Sequence, residues 1–261
     1  MRKLILALIV AATVLLIRFP INAMPPFFLA WSAGGNCQNE GNIAAGSTNY
    51  LSCSSSISVT AGDLIVMVTG NTASKTMIGS DNDSNIYTQI ATVTGGRPSI
   101  VNILTAVAST TNAALTPKTR DSASAATGSV NIGAAAFTWS GGGLTGAADA
   151  CNTATGSALT VNVTLSAATD LVIGSGDGSG TIGAGTGFTL DGTPTTGGTT
   201  KPVLEHATSL TSTIGSNTVA YTATSGGHGA IGCGILAGSS GATKVKRRVI
   251  ADLLPFRIQG Q

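Results

Sequence analysis

Between positions 24 and 243 the residues that could do chemistry are ten carboxylates, two histidines and four cysteines. Glu205 and His206 set an acid beside a base, but neighbours on a strand face opposite sides. His228 lies in a glycine-rich stretch that reads as a loop. Both histidines are therefore expected at the surface, and no residue is assigned a catalytic role. Asp81, Asp83 and Asn85 place oxygen ligands at alternate positions, like the opening of a calcium loop. The loop glycine is replaced by Ile86 and the closing bidentate acid by Thr92. A solvated turn is expected there, with a looser Ca2+ site at Asp81, Asp83 and Asn85 as the alternative and no other cofactor. Residues 178–183 fit G-x-G-x-x-G, yet a strand pattern follows where a dinucleotide site needs a helix. That stretch reads as a glycine-rich loop. No G-x-S-x-G elbow occurs. Phe137 and Trp139 are two apart and share one face of a strand. Exposed, they would form a glycan platform; buried, they would be core.

The cysteines, Cys37, Cys53, Cys151 and Cys233, are even in number and contain no CxxC, which favours disulfides over zinc. Three connectivities are possible. Cys37 and Cys53 flank a short turn-rich segment and are the favoured pair, leaving Cys151 with Cys233. The start of the chain supports an exported address. Arg2 and Lys3 precede a fourteen-residue apolar run, Leu4 to Ile17, and small residues lead to a possible cut after Ala23. Residues 1–23 thus read as a signal peptide. The run is shorter than the ~20 residues of a membrane span, so membrane contact would come only through an uncleaved N-terminal segment.

Charge divides unevenly along the chain. The body, residues 24–243, holds five basic and ten acidic residues, a balance of −5. The tail, residues 244–261, holds five basic residues and one acidic, a balance of +4. Lys244, Lys246, Arg247 and Arg248 make it a possible partner-binding segment, with Val245, Val249, Ile250 and Leu253 at helical spacing. An exported chain makes nucleic acid an unexpected partner.

The elements that must position these residues read as strands. Charged residues make up 9% of the chain, against roughly 25% in an ordinary domain, and hydrophobic residues 43%. The apolar content comes in short Val/Ile/Leu/Thr runs separated by Gly, Asn, Ser and Asp clusters. Leu64 to Val68 is continuous, fit for a strand covered on both faces. Leu159, Val161, Val163 and Leu165 alternate, as do Ile231, Cys233 and Ile235. The order of segments is stated twice, about a hundred residues apart. "SVTAGDLIVMVTG" at 58–70 is answered by "TLSAATDLVIGSGDG" at 164–178. The run from Ile100 is answered by that from Pro202, and the run from Ile132 by that from Ile231. Asp63 and Asp170 each sit where a turn enters a buried strand and are read as turn-fixing. The expected fold is all-β: one two-sheet β-sandwich, jelly-roll-like, over residues 24–243. It would be built from two pseudo-repeated halves at about 57–145 and 158–238.

The segments "SVTAGDLIVMVTG", "SDNDSNIYTQIA", "AFTWSGG", "LTVNVTLSAATDLVIGSG" and "GAGTGFTL" resemble, in that order, a β-sandwich module of uncharacterised exported bacterial proteins and phage or prophage proteins. The resemblance covers residues 56–237. The module's pattern carries a glycine before Asn85, where this chain has Ser84. It implies a fold and an extracellular or virion setting, and no established activity. The functional expectation is a non-enzymatic structural or adhesive subunit that forms homo-oligomers or coats a cell or particle surface. The alternatives are a phage surface, decoration or tail protein, and a glycan-binding or glycan-cleaving module.

Overall fold

A computed structural model describes residues 30–43, 48–71, 76–94, 100–122, 128–156, 159–192, 202–208 and 213–238. Residues 1–23, read from sequence as a signal peptide, and the basic tail 244–261 lie outside the described residues. Sixteen strands occur among the described residues, and no helix. In chain order they are β1 (Trp31–Ile43), β2 (Leu51–Ser52), β3 (Ile57–Val59), β4 (Leu64–Asn71), β5 (Met77–Ser80) and β6 (Thr88–Thr94). Then come β7 (Ile100–Val107), β8 (Asn112–Leu115), β9 (Lys118–Asp121), β10 (Gly128–Trp139) and β11 (Ala148–Thr155). The last five are β12 (Thr160–Leu165), β13 (Leu171–Ala184), β14 (Phe188–Gly192), β15 (Val203–Ala207) and β16 (Gly215–Ile235).

Two antiparallel sheets form the sandwich, in the orders β1-β10-β4-β7-β6 and β11-β16-β13-β15-β14. Each is drawn from one half of the chain, and the two orders follow the same path. The edge strands even interrupt their ladders alike, between Gln89 and Ala91 in β6 and between Leu190 and Gly192 in β14. The sheets pack face to face. Leu64, Val66, Ile103 and Phe137 of the first meet Leu171, Ile173, Leu204, Ile231 and Ile235 of the second in one buried cluster. Each outer face is covered as well. The ribbon β3–β8 lays Ile57, Val59 and Leu115 on Ile65, Met67 and Ile132. The ribbon of β12 with the first part of β16 lays Val161, Val163 and Val219 on Val172 and Val203. This double cover explains why Leu64 to Val68 is a continuous apolar run: every one of its side chains is buried. β12 has one neighbour layer and alternates, with Val161, Val163 and Leu165 inward.

Both entry aspartates hold their turns. Asp63 accepts from the Thr60 N–H at 2.7 Å and from the Thr138 hydroxyl at 2.7 Å, just after Gly62 with φ 94°. Asp170 is fully buried, with the backbone of Ala167 and Ala237 beside its carboxylate.

Laid over each other by strand order, with Leu64 set on Leu171, the two sheets place two of the segments one residue away from the match read from sequence. Phe137 pairs with Leu64 and Ile235 with Leu171, so Phe137 corresponds to Ile235 and Ile132 does not correspond to Ile231. Thr105 pairs with Val66 and His206 with Ile173, so His206 stands where Thr105 stands, in place of Leu104. A one-residue slip exchanges the two faces of a strand. His206 consequently faces the space between the sheets, and Glu205 faces outward.

Candidate functional site

The cysteines pair as favoured, Cys37 with Cys53 and Cys151 with Cys233. Cys37 lies on β1, and Cys151 and Cys233 are direct cross-strand partners of β11 and β16. Two bridges point to an oxidising environment.

Phe137 and Trp139 form no exposed platform. They are 0% and 4% exposed, because the face they share is the one turned to the second sheet. Trp139 stacks at 40° on Trp31 with ring centroids 5.2 Å apart. Both indoles donate across to the second half, Trp31 Nε1 to Thr169 O at 2.7 Å and Trp139 Nε1 to Gly238 O at 2.9 Å.

At Asp81, Asp83 and Asn85, the alternative calcium site, the oxygens meet protein donors. Asp81 Oδ1 accepts from the N–H groups of Asp83 and Asn85 at 2.9 and 3.1 Å. Its Oδ2 accepts from Asn85 Nδ2 at 2.9 Å and from the Tyr87 hydroxyl at 3.0 Å. Asp83 accepts from the Thr110 hydroxyl and Asn112 Nδ2, each at 2.8 Å, and Asn85 Oδ1 from the Ser109 N–H at 2.8 Å. The same oxygen spacing that would serve a cation serves protein donors and ties this loop to the one after β7. Nor is the turn solvated throughout: Asp81 and Asn85 are buried. Burial and the Asp81 charge push the Tyr87 phenol up.

Residues 178–183 belong to the backbone of β13, whose pairing with β16 shifts register three times along that stretch. The expected loop is an irregular strand, and no helix follows it. The side chain of His228 and the residues Lys244, Lys246, Arg247 and Arg248 lie outside the described residues.

His206 departs most from expectation. It is buried, 6% exposed, with its ring edge-on to Phe137 at 5.3 Å between centroids. Its Nδ1 lies 2.6 Å from Asp191 Oδ2. The interruption in β14 between Leu190 and Gly192 sets Asp191 out of the ladder and turns its carboxylate to His206. Asp191 is 5% exposed, and burial raises its carboxyl although the His206 ring works the other way. Behind it, on the outer face, Glu205 is fully buried and accepts from the Gly185 N–H at 3.3 Å. Burial, assisted by the Asp191 charge, pushes Glu205 up to about 8. The neighbouring Tyr221 phenol is raised as well, by burial and by Glu205.

Asp191 also faces a cleft of about 350 Å³ at the seam where β14 meets the edge strand β1. Asn36 and Gln38 project from one wall, two apart on the same side of β1. Ser54 and Ser55, held beside β1 by the Ser54 N–H to Gln38 O bond at 3.0 Å, close one end. The apolar lining comes from Leu190 and from Cys37 of the first disulfide. Sequence reasoning missed this group because its members are spread from position 36 to 206 and join only when the sheets stack. The one local signal was an aspartate followed by glycine at Asp191, where a strand ends. No protein-family model matches this chain, no curated protein matches it, and no solved structure matches it.

Proposed function

We propose that this protein is an exported, non-enzymatic structural or adhesive subunit that assembles with further copies of itself through its sheet edges. The observation that carries the reading is the chemistry of β6 and β11. These edge strands lie side by side at one border of the sandwich. Over Thr88 to Thr94 there is no charged residue, and over Ala148 to Thr155 only Asp149. Thr88, Gln89, Thr92, Asn152 and Thr153 are exposed on them. Natural sheets block such edges with lysine, proline or bulges; these two strands carry neither lysine nor proline, and each has a single register shift, between Gln89 and Ala91 and between Ala148 and Ala150. Among the described residues the basic side chains are Lys118 and Arg120, and both lie over the Tyr50 ring, 5.2 Å from its centroid and away from these edges. The two halves, with like strand orders, read as copies of one unit, so the fold itself already joins two such modules. The disulfides and the sparse lysines suit life outside a cell.

Electron microscopy and sedimentation velocity of the secreted protein test this. Filaments, lattices or discrete oligomers are expected. The double substitution Thr92→Lys and Thr153→Lys should return the protein to monomers with its melting temperature unchanged. A wild-type protein that sediments only as monomer overturns the reading.

A further inference from the structure

We propose that the seam cleft between β1 and β14 binds a single uncharged saccharide ring, with the Asp191 carboxylate as its principal acceptor. The inference rests on the cleft alone and stands apart from self-assembly.

The lining selects the ligand's chemistry. Asn36 and Gln38 bring amide donors and acceptors, Ser54 and Ser55 bring hydroxyls, and Asp191 brings acceptors only. Gln38 Oε1 has no hydrogen-bond partner in the protein. Asp191 Oδ2 is engaged by His206, and Asp191 is one of the residues lining the cleft. His206 acts as a positioning residue. It fixes the carboxylate's rotation from behind, with its own ring braced on Phe137. Groups of this kind match a ligand that offers several hydroxyl protons on a small frame. Leu190 supplies an apolar side chain for the C–H face of a ring. A volume of about 350 Å³ is at the small end of ligand pockets, which run from about 300 to 1,000 Å³. It accommodates one ring and leaves a polymer to run out along the seam.

Other occupants fit less well. No lysine or arginine lines the cleft, and the carboxylate repels anions. A divalent cation of the calcium type wants six to eight oxygens, usually with several carboxylates. Among the described residues no three of His, Cys, Asp and Glu come together to offer that.

The test is saturation-transfer NMR on the full secreted protein with glucose, galactose, mannose and N-acetylglucosamine as probes, each in turn. At least one should receive saturation, with millimolar affinity. Amide shifts in a labelled sample should concentrate at residues 36–38, 54–55 and 190–191. Asp191→Asn keeps the shape and an acceptor for His206 but removes the charge, and should weaken binding at least tenfold. Gln38→Ala, on the opposite wall and remote from the buried His206 pair, should weaken it severalfold with the melting temperature unchanged. Silence from all four sugars overturns the proposal. So does binding that survives both substitutions, and so does a cleft that responds to calcium chloride or inorganic phosphate but to no sugar.

Discussion

Ser84 has a φ of 59°, the left-handed region, and the loop's hydrogen bonds depend on it. The turn at this residue lets the N–H groups of Asp83 and Asn85 converge on one carboxylate oxygen of Asp81. A residue with a Cβ carries about 1–2 kcal/mol of strain in that region, and glycine carries little. Against this, glycine adds chain entropy to the unfolded state, worth about 0.5–1 kcal/mol. Ser84→Gly is therefore expected to stabilise the protein slightly, by about 0.5–1 kcal/mol, read as a higher urea midpoint at constant slope. A lower midpoint would mean that the serine side chain contributes something the backbone argument omits. The position was legible in sequence as the place where the resembled pattern has glycine. What the loop's oxygens do was not legible, because alternating Asp and Asn residues look the same whether they receive a cation or backbone N–H groups.

At the scale of the strand, the periodic elements were readable and the register was not. Leu64 to Val68 and Val161 to Leu165 announce their burial by size and alternation. The run Gly133, Ala134, Ala135, Ala136 does not, since small residues fit either face, and the match to β16 slipped by one. The same slip on β15 hid His206, which sequence placed at the surface and pairing places between the sheets. The glycines of the second sheet have their own reading. Added Cβ atoms at Gly174 and Gly234 would collide with Tyr221 and Val219 in one case and with Leu165 in the other. These residues are small because the ribbon of β12 and β16 lies directly on the sheet. Gly174→Val, which strand propensity alone would favour, is expected to cost about 1–3 kcal/mol by overpacking. The urea midpoint should fall, and unchanged stability would show that the ribbon stands off from the sheet.

For the whole molecule, no disulfide among the described residues ties one half to the other. Each disulfide closes within its own half, over 16 and 82 residues. Between the halves stand the shared apolar cluster and the two indole hydrogen bonds. The second half also holds buried carboxyls that make the fold sensitive to pH. Burial, with the neighbouring Asp149 charge, brings Asp170 to about 7, and burial brings Glu205 to about 8, from ordinary values of 3.8 and 4.5. A carboxyl raised in the fold binds a proton that the unfolded chain has already released. Its contribution is full below about pH 4 and is lost as the pH rises through 7 and 8. Asp191, also raised, adds in the same direction. Asp149, lowered mainly by its bonds from the Ser166 hydroxyl and N–H, acts oppositely and only in more acidic solution. The melting temperature is thus expected to be higher at pH 5 than at pH 8 by several degrees. Glu205→Gln keeps an acceptor for the Gly185 N–H and has no proton to lose, so its melting temperature should fall less over the same interval. Equal slopes in the two proteins would show that Glu205 is solvated and that the outer ribbon of the second sheet admits water.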